Sequence, residues 1–198
     1  MPKVVVIAGP NGAGKSTTAP AILRDALKVH EFVNADTIAA GLSAFSPESV
    51  ALAAGRIMLD RVHELARERR DFAFETTLAS RTFAPWLKRL QADGYTFHLV
   101  YLCLPTVGMS VERVAERVRR GGHAVPEDVV RRRYARSLDN FFRSYSRFAN
   151  TWVMMDNSVR SRPRMIARGS AGRTVKVFNA GQWSSFQAQY GRTDTFKS

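Results

Sequence analysis

The sequence predicts an α/β fold of three layers, in which helices cover both faces of a mostly parallel five-stranded sheet. Three observations carry that expectation. Short β-branched or aromatic runs alternate with longer amphipathic stretches, and this alternation implies right-handed crossovers between parallel strands. The first run, Val4-Val5-Val6-Ile7-Ala8, is apolar throughout and ends in glycine, as suits a strand buried on both faces. The composition, 45% hydrophobic and 24% charged over 198 residues, fits a single domain over residues 1–198 and excludes a disordered or fibrous chain.

The elements follow in order. A helix is expected over residues 15–28, then a short strand at Phe32-Val33. Pro47 opens a second helix, since proline suits the first helical position. Val50, Ala54, Ile57 and Leu65, with Met58 and Val62, give that helix one buried stripe to about residue 69. Phe72-Ala73-Phe74 is the third strand, residues 81–92 a helix, 95–104 the fourth strand and 151–155 the fifth. After a loop at 160–164, residues 165–168 and 174–178 form a hairpin, and a helix around Trp183 ends this C-terminal appendage, residues 159–198.

Charge is unevenly placed. The chain carries +13, yet residues 1–112 are nearly neutral. Residues 113–136 hold eight arginines against three acids, and residues 157–198 hold eight basic residues against Asp194 alone. Such patches attract phosphate-bearing partners, from ATP to nucleic acid. The single cysteine, Cys103, lies in an apolar run and reads as a buried, inert thiol; with no disulfide possible, a reducing cytoplasmic location is expected. No apolar run approaches the ~20 residues that span a bilayer, and no basic n-region precedes the first one, so neither a membrane nor a secretory role is expected.

Gly9-Pro10-Asn11-Gly12-Ala13-Gly14-Lys15-Ser16 satisfies GxxxxGK[ST] between a buried strand and a helix. Glycines let successive backbone N–H groups face one anion, and the helix N-terminus adds positive potential. Residues 9–16, with Thr17, are therefore expected to bind ATP, with Lys15 on the β- and γ-phosphates and the Ser16 hydroxyl on Mg²⁺. A motor-type or transporter-type ATPase would carry an apolar run ending in Asp on a later strand. Here residues 96–104 run into Pro105, and no LSGGQ-like signature occurs. A small-molecule kinase needs other parts: a carboxylate beside the acceptor hydroxyl, an acceptor pocket and arginines to neutralise the transferring group.

Candidates for each part stand at strand ends. Asn34-Ala35-Asp36 closes the second strand, where Asp36 can take the acceptor's proton or hold Mg²⁺; it is also placed to cap the turn at 37–40. Glu75-Thr76-Thr77, followed by Ser80 and Arg81, closes the third strand and is suited to gripping a hydroxylated acceptor. Val111, Val114, Ala115 and Val118 make one helical stripe, with Arg113, Arg117 and Arg120 opposite. Gly121-Gly122-His123 breaks that helix. The next, opened by Pro126, buries Val130, Tyr134, Leu138, Phe141, Tyr145 and Phe148, with Arg132, Arg136 and Arg143 opposite. Two such arms across a glycine hinge read as a phosphate-closing lid over about residues 109–136.

Taken together, the chain resembles the zeta-toxin family of P-loop kinases over about residues 3–158. The resemblance rests on residues 9–16, Val33-Asn34-Ala35-Asp36, Phe74-Glu75-Thr76-Thr77, the stretch from Arg117 through Gly122-His123 and Pro126 to Arg132-Arg133-Tyr134, and Asp156-Asn157-Ser158. It implies a P-loop nucleoside-kinase-like fold and ATP-dependent phosphorylation of a nucleotide-sugar hydroxyl, UDP-N-acetylglucosamine above all. By position it makes Asp36 the general base. Asn34, Glu75 and Thr77 fall at the acceptor, Arg117, Arg120 and Arg132 at the transferring group, and Asn157 near the adenine. Where the toxins carry an arginine two residues after the threonine, this chain has Ala79, with Arg81 further on. An antitoxin-like protein partner is conceivable on the same ground, though no element for binding one is recognisable. Two other readings use the basic C-terminal patch: a kinase for a nucleic-acid 5′-hydroxyl or another metabolite, and a nucleotide-dependent nucleic-acid-binding regulator with little turnover.

Overall fold

The computed structural model describes residues 1–122, 124–159 and 162–191. At its centre is β1 (Lys3–Ala8), whose residues from Val4 to Ala8 are wholly buried. It pairs in parallel with β3 (Phe72–Thr76) on one side and β4 (Thr96–Cys103) on the other. Beyond these lie β2 (Glu31–Val33), parallel to β3, and β5 (Thr151–Asp156), parallel to β4. These are the five strands expected from the sequence. The hairpin, β6 (Arg164–Ser170) and β7 (Arg173–Val177), does not stand apart from them. It joins the edge of β5 antiparallel, giving a seven-stranded sheet in the order β2-β3-β1-β4-β5-β6-β7. Pairing with β6 satisfies the N–H and C=O groups that β5 would otherwise present as an open edge.

The helix expected over residues 15–28 begins as α1 (Lys15–Pro20) and widens into a π-helix over Ala21–Leu27. Pro20 has no N–H to close an α-helical bond, so the ladder changes register there. α2 (Ala35–Leu42) follows β2. The helix placed at Pro47 starts as a 3₁₀ turn, Pro47–Val50, and becomes α3 (Ala51–Arg67). Ala54, Met58, Val62 and Leu65 are buried as expected, whereas Ile57 is 42% exposed. α4 (Phe83–Ala92) lies on the same side of the sheet, and Trp86 packs against Phe72 and Phe74.

α5 (Val107–Arg119) and α6 (Glu127–Asn140) follow β4, and α6 continues through a π turn (Phe141–Tyr145) into α7 (Ser146–Phe148). This pair forms the arginine-bearing cover. Its second arm is anchored by buried Val130, Tyr134 and Leu138, and the Tyr134 hydroxyl donates to the Leu104 carbonyl at 2.8 Å. α8 (Ala180–Tyr190) follows the hairpin, and its Trp183 stacks on Trp152 with centroids 5.5 Å apart. The main core therefore spreads from α3 and α4 to α6 and α8 on one face; α1 through Ala19, and the π-helix after it through Leu23, cover Val5, Ile7 and Val100 on the other. Cys103 is buried, and burial pushes its thiol pKa well up, in keeping with an inert thiol. No helix among the described residues is long and apolar enough to cross a membrane.

Candidate functional site

The loop between β1 and α1 is shaped by its glycines. A Cβ on Gly9 would lie 2.0 Å from the Leu102 carbonyl oxygen, so only glycine lets the loop leave the sheet there. Gly14 precedes α1 at φ 75°, a left-handed conformation that bulkier residues adopt at a cost. No side chain caps α1, which leaves its first N–H groups to whatever enters the cleft.

Asn157 holds this loop from across the sheet. Its Nδ2 donates to the Ala13 carbonyl at 2.7 Å, and its own N–H donates to the Cys103 carbonyl at 3.0 Å. The Arg113 guanidinium braces the same region, donating to the carbonyls of Asn157 at 2.9 Å, Ser158 at 2.6 Å and Gly12 at 3.4 Å. The Oδ1 atoms of Asn11 and Asn157 are buried with no hydrogen-bond partner among the described residues. Both residues line the cleft.

Glu75 is the hub of the cleft floor. Ile7 faces Glu75 in the β1–β3 register, which sets the carboxylate beside the phosphate loop. It accepts from the Ser16 hydroxyl at 2.8 Å and from Asn34 Nδ2 at 2.7 Å, and it lies 3.6 Å from Lys15 Nζ. Lys15 is 7% exposed and donates to the Pro10 carbonyl at 3.1 Å. Burial holds the Lys15 pKa below its ordinary value; the nearby Glu75 and Asp36 carboxylates oppose that shift, and Arg117 adds to it.

The cap of α2 is Asn34, not Asp36: Asn34 Oδ1 accepts from the N–H of Asp36 at 2.8 Å and of Thr37 at 3.3 Å. The Asp36 carboxylate is thereby released from capping. It is exposed and makes no hydrogen bond or ion pair among the described residues. Thr77 reaches the cleft through a turn in which Leu78 takes φ 59°. That strained turn is held from α6, where Asn140 Nδ2 donates to the Leu78 carbonyl at 2.8 Å and Ser137 donates to the Thr77 carbonyl at 2.6 Å.

One cleft of about 660 Å³ collects these groups: Asn11, Gly12, Gly14, Lys15, Ser16 and Thr17 of the loop, Asn34, Asp36, Glu75 and Thr77 of the strand ends, and Asn157. Arg113 and Arg117 of α5, Arg133 of α6 and Val125 of the connection between them form its wall. Gly9, Pro10 and Ala13 belong to the loop but not to that lining. Three expected site residues are placed elsewhere. Arg120 pairs with Glu116 at 2.6 Å, Arg132 stands 3.8 Å from Asp128, and Arg81 donates to Asn140 Oδ1 at 2.8 Å and stands 3.4 Å from Asp139. Arg133, which the sequence reading did not select, flanks the buried Tyr134 and faces the cleft. His123 lies outside the described residues.

A phosphate-binding loop opening beside a free carboxylate, at the end of the central strand of a mostly parallel sheet, defines a P-loop protein with a composite cleft. The chain belongs to the family described as AAA domain, whose model matches residues 4–143. An uncharacterized protein of Haemophilus influenzae is 30% identical over 132 residues, 67% of this chain and 92% of that protein. Among solved structures, AvrRxo1-ORF1:AvrRxo1-ORF2 with sulphate ions matches with a TM-score of 0.72 at 16% identity, over 100% of this chain and 66% of that one. The same pair with ATP gives 0.69 at 16% identity, over 100% of this chain and 66% of that one. The PezAT chromosomal toxin-antitoxin system of Streptococcus pneumoniae gives 0.63 at 14% identity, covering 98% of this chain and 81% of that one. This chain thus spans less than two thirds of the AvrRxo1 chain. At these identities the likeness is one of fold.

Proposed function

We propose that the chain is an ATP-dependent kinase that transfers the γ-phosphoryl group to a hydroxyl of a small acceptor, with a nucleotide sugar such as UDP-N-acetylglucosamine as the acceptor class. The observation that carries this reading is the uncommitted Asp36 carboxylate in the same cleft as Lys15 and the phosphate loop. A pure nucleotide binder has no use for a base at that place. Fold likeness to an ATP-bound structure and to a toxin-antitoxin protein, and the resemblance of the motifs to the zeta toxins, support it. An antitoxin-like protein partner belongs to the same proposal.

The oxygen donors of Ser16, Asp36 and Glu75 fit a hard divalent cation, and the described residues hold no group of three or more His, Cys, Asp or Glu that would bind a metal without help from a nucleotide. Mg²⁺, when bound, neutralises charge on the transferring phosphoryl group. Ser16 would hold it directly and Asp36 through a water, with Glu75 behind Ser16. Lys15 binds the terminal phosphates, and Asp36 takes the acceptor's proton as its oxygen attacks. Arg117 and Arg133, the arginines of the cleft wall besides the bracing Arg113, hold the developing negative charge, in place of Arg120 and Arg132. Thr77 and Asn34 orient the acceptor. ADP release from Mg-ATP against a panel of nucleotide sugars, other hydroxylated metabolites and a 5′-hydroxyl oligonucleotide tests the reading. Stimulation by a nucleotide sugar is expected; a flat panel from protein that still binds ATP would overturn it.

A further inference from the structure

We infer that the open face of the β5–β6–β7 end of the sheet is a docking site for single-stranded nucleic acid. α8 covers one face of this end through Trp183 on Trp152. On the opposite face, the apolar cluster under α1 ends at the partly buried Val153 and Met155 of β5. The pairing registers carry that face outward. Arg168 lies against Val153 and Met165 against Met155 across β5–β6, and Lys176 lies against Arg168 across β6–β7. Ser170 and Arg173 pair beyond the bulge on the same side. Phe178, two residues after Lys176, returns to this side, and Lys176 Nζ stands 5.0 Å from its ring centroid. Arg168, Arg173, Met165 and Phe178 are all exposed.

The cations of this face have no acidic partner among the described residues. Like charges directly opposite on neighbouring strands destabilise a hairpin, and Arg168 and Lys176 are such a pair. Residues 157–193 contain no Asp or Glu at all. Arg168, Arg173 and Lys176 make no ion pair among the described residues, although elsewhere in the chain arginines are matched with acids, as Arg120 is with Glu116 and Arg131 with Glu127. The cations are thus complementary to a polyanion. The exposed phenyl ring and thioether between them select its kind. An exposed aromatic ring flanked by cations offers a stacking surface for unpaired bases with phosphates held on either side, whereas bases stacked inside a duplex are out of reach. An acidic peptide would use the cations and leave Phe178 without a role.

The surface is separate from the cleft, so the inference does not depend on the kinase reading. The test is fluorescence anisotropy with the whole chain and labelled oligo-U and oligo-dT about 15 nucleotides long, against a duplex and poly-glutamate. Binding should be tighter to both single strands than to duplex or poly-glutamate, and should weaken with salt by about 0.7 in log K per log salt for each phosphate held. Replacing Arg168, Arg173 and Lys176 by Ser should lower that slope by about 2, and Phe178→Ala should cost about tenfold where Phe178→Tyr does not. ATP binding by each variant reports that the fold is intact, and Lys15→Ala should leave oligonucleotide binding unchanged. Different affinities for RNA and DNA would name the source. No single-strand binding at low salt, binding insensitive to these variants, or equal binding of poly-glutamate would each overturn the inference.

Discussion

Glu75→Gln isolates what the cleft floor does for Lys15. The substitution keeps shape and removes charge. Ser16 and Asn34 both donate to Oε2, so a glutamine oxygen in that place still accepts from both; its amide nitrogen then faces Lys15 Nζ, which loses the anion that lies 3.6 Å away. Removing one partner of a buried ion pair costs about 3–5 kcal/mol, because the other charge is left uncompensated. That loss disfavours the ammonium form and pulls the Lys15 pKa down. The sign is fixed by the causes: burial already lowers the Lys15 pKa from 10.5, Glu75 and Asp36 hold it up, and removing Glu75 lets it fall further. Since only the ammonium form binds phosphate well, ATP affinity should decline at a lower pH in the variant. Titration with a fluorescent ATP analogue from neutral to alkaline pH, at constant ionic strength and without Mg²⁺, reads that limb directly. An alkaline limb at the wild-type position would refute the electrostatic argument.

Asp36→Asn should lower kcat by about 10²–10⁴-fold, the range of a lost general base, with a smaller change in KM for ATP, as steady-state kinetics will show. Arg117→Ala and Arg133→Ala should each depress kcat strongly, while Arg120→Ala and Arg132→Ala, whose side chains pair away from the cleft, should stay near wild type. Gly14→Ala would set a Cβ 2.6 Å from Asn157 Nδ2 in a left-handed conformation. Calorimetry should find Tm lower by several degrees, at about 2–4 °C per kcal/mol for a chain of this size; Gly14→Ala combined with Asn157→Ala should recover the part due to the clash.

Much of this site is legible in the sequence because it is built from backbone. The phosphate loop needs glycines at fixed offsets, and strand ends converge wherever strands are parallel, so residues 9–16, Asp36 and Glu75 stand out before any coordinates. What each side chain touches is harder to read. The strand order puts β3 directly beside β1, which turns Glu75 toward Lys15 and Ser16 as well as toward an acceptor. The helical wheel separates core from solvent, but the cleft lies at the boundary between them. Arg133 is therefore overlooked beside Tyr134, and Arg120 is overvalued although α5 ends at Arg119. Capping is similarly local: Asn34 and Asp36 are both good caps, and only the start of α2 at Ala35 decides between them. The hairpin was legible as a hairpin, yet nothing in its sequence says that it completes the edge of β5.

The most direct test of the account follows the phosphoryl group itself. Wild-type protein and Asp36→Asn are incubated with Mg-ATP labelled in the γ-phosphate and a nucleotide sugar, and the products are resolved by mass. Label on a hydroxyl of the sugar nucleotide with the wild type, and at least about a hundredfold less with the variant over the same early interval, is the result this account predicts. Label that stays in ATP or appears only as free phosphate, in protein shown to bind ATP, would contradict it.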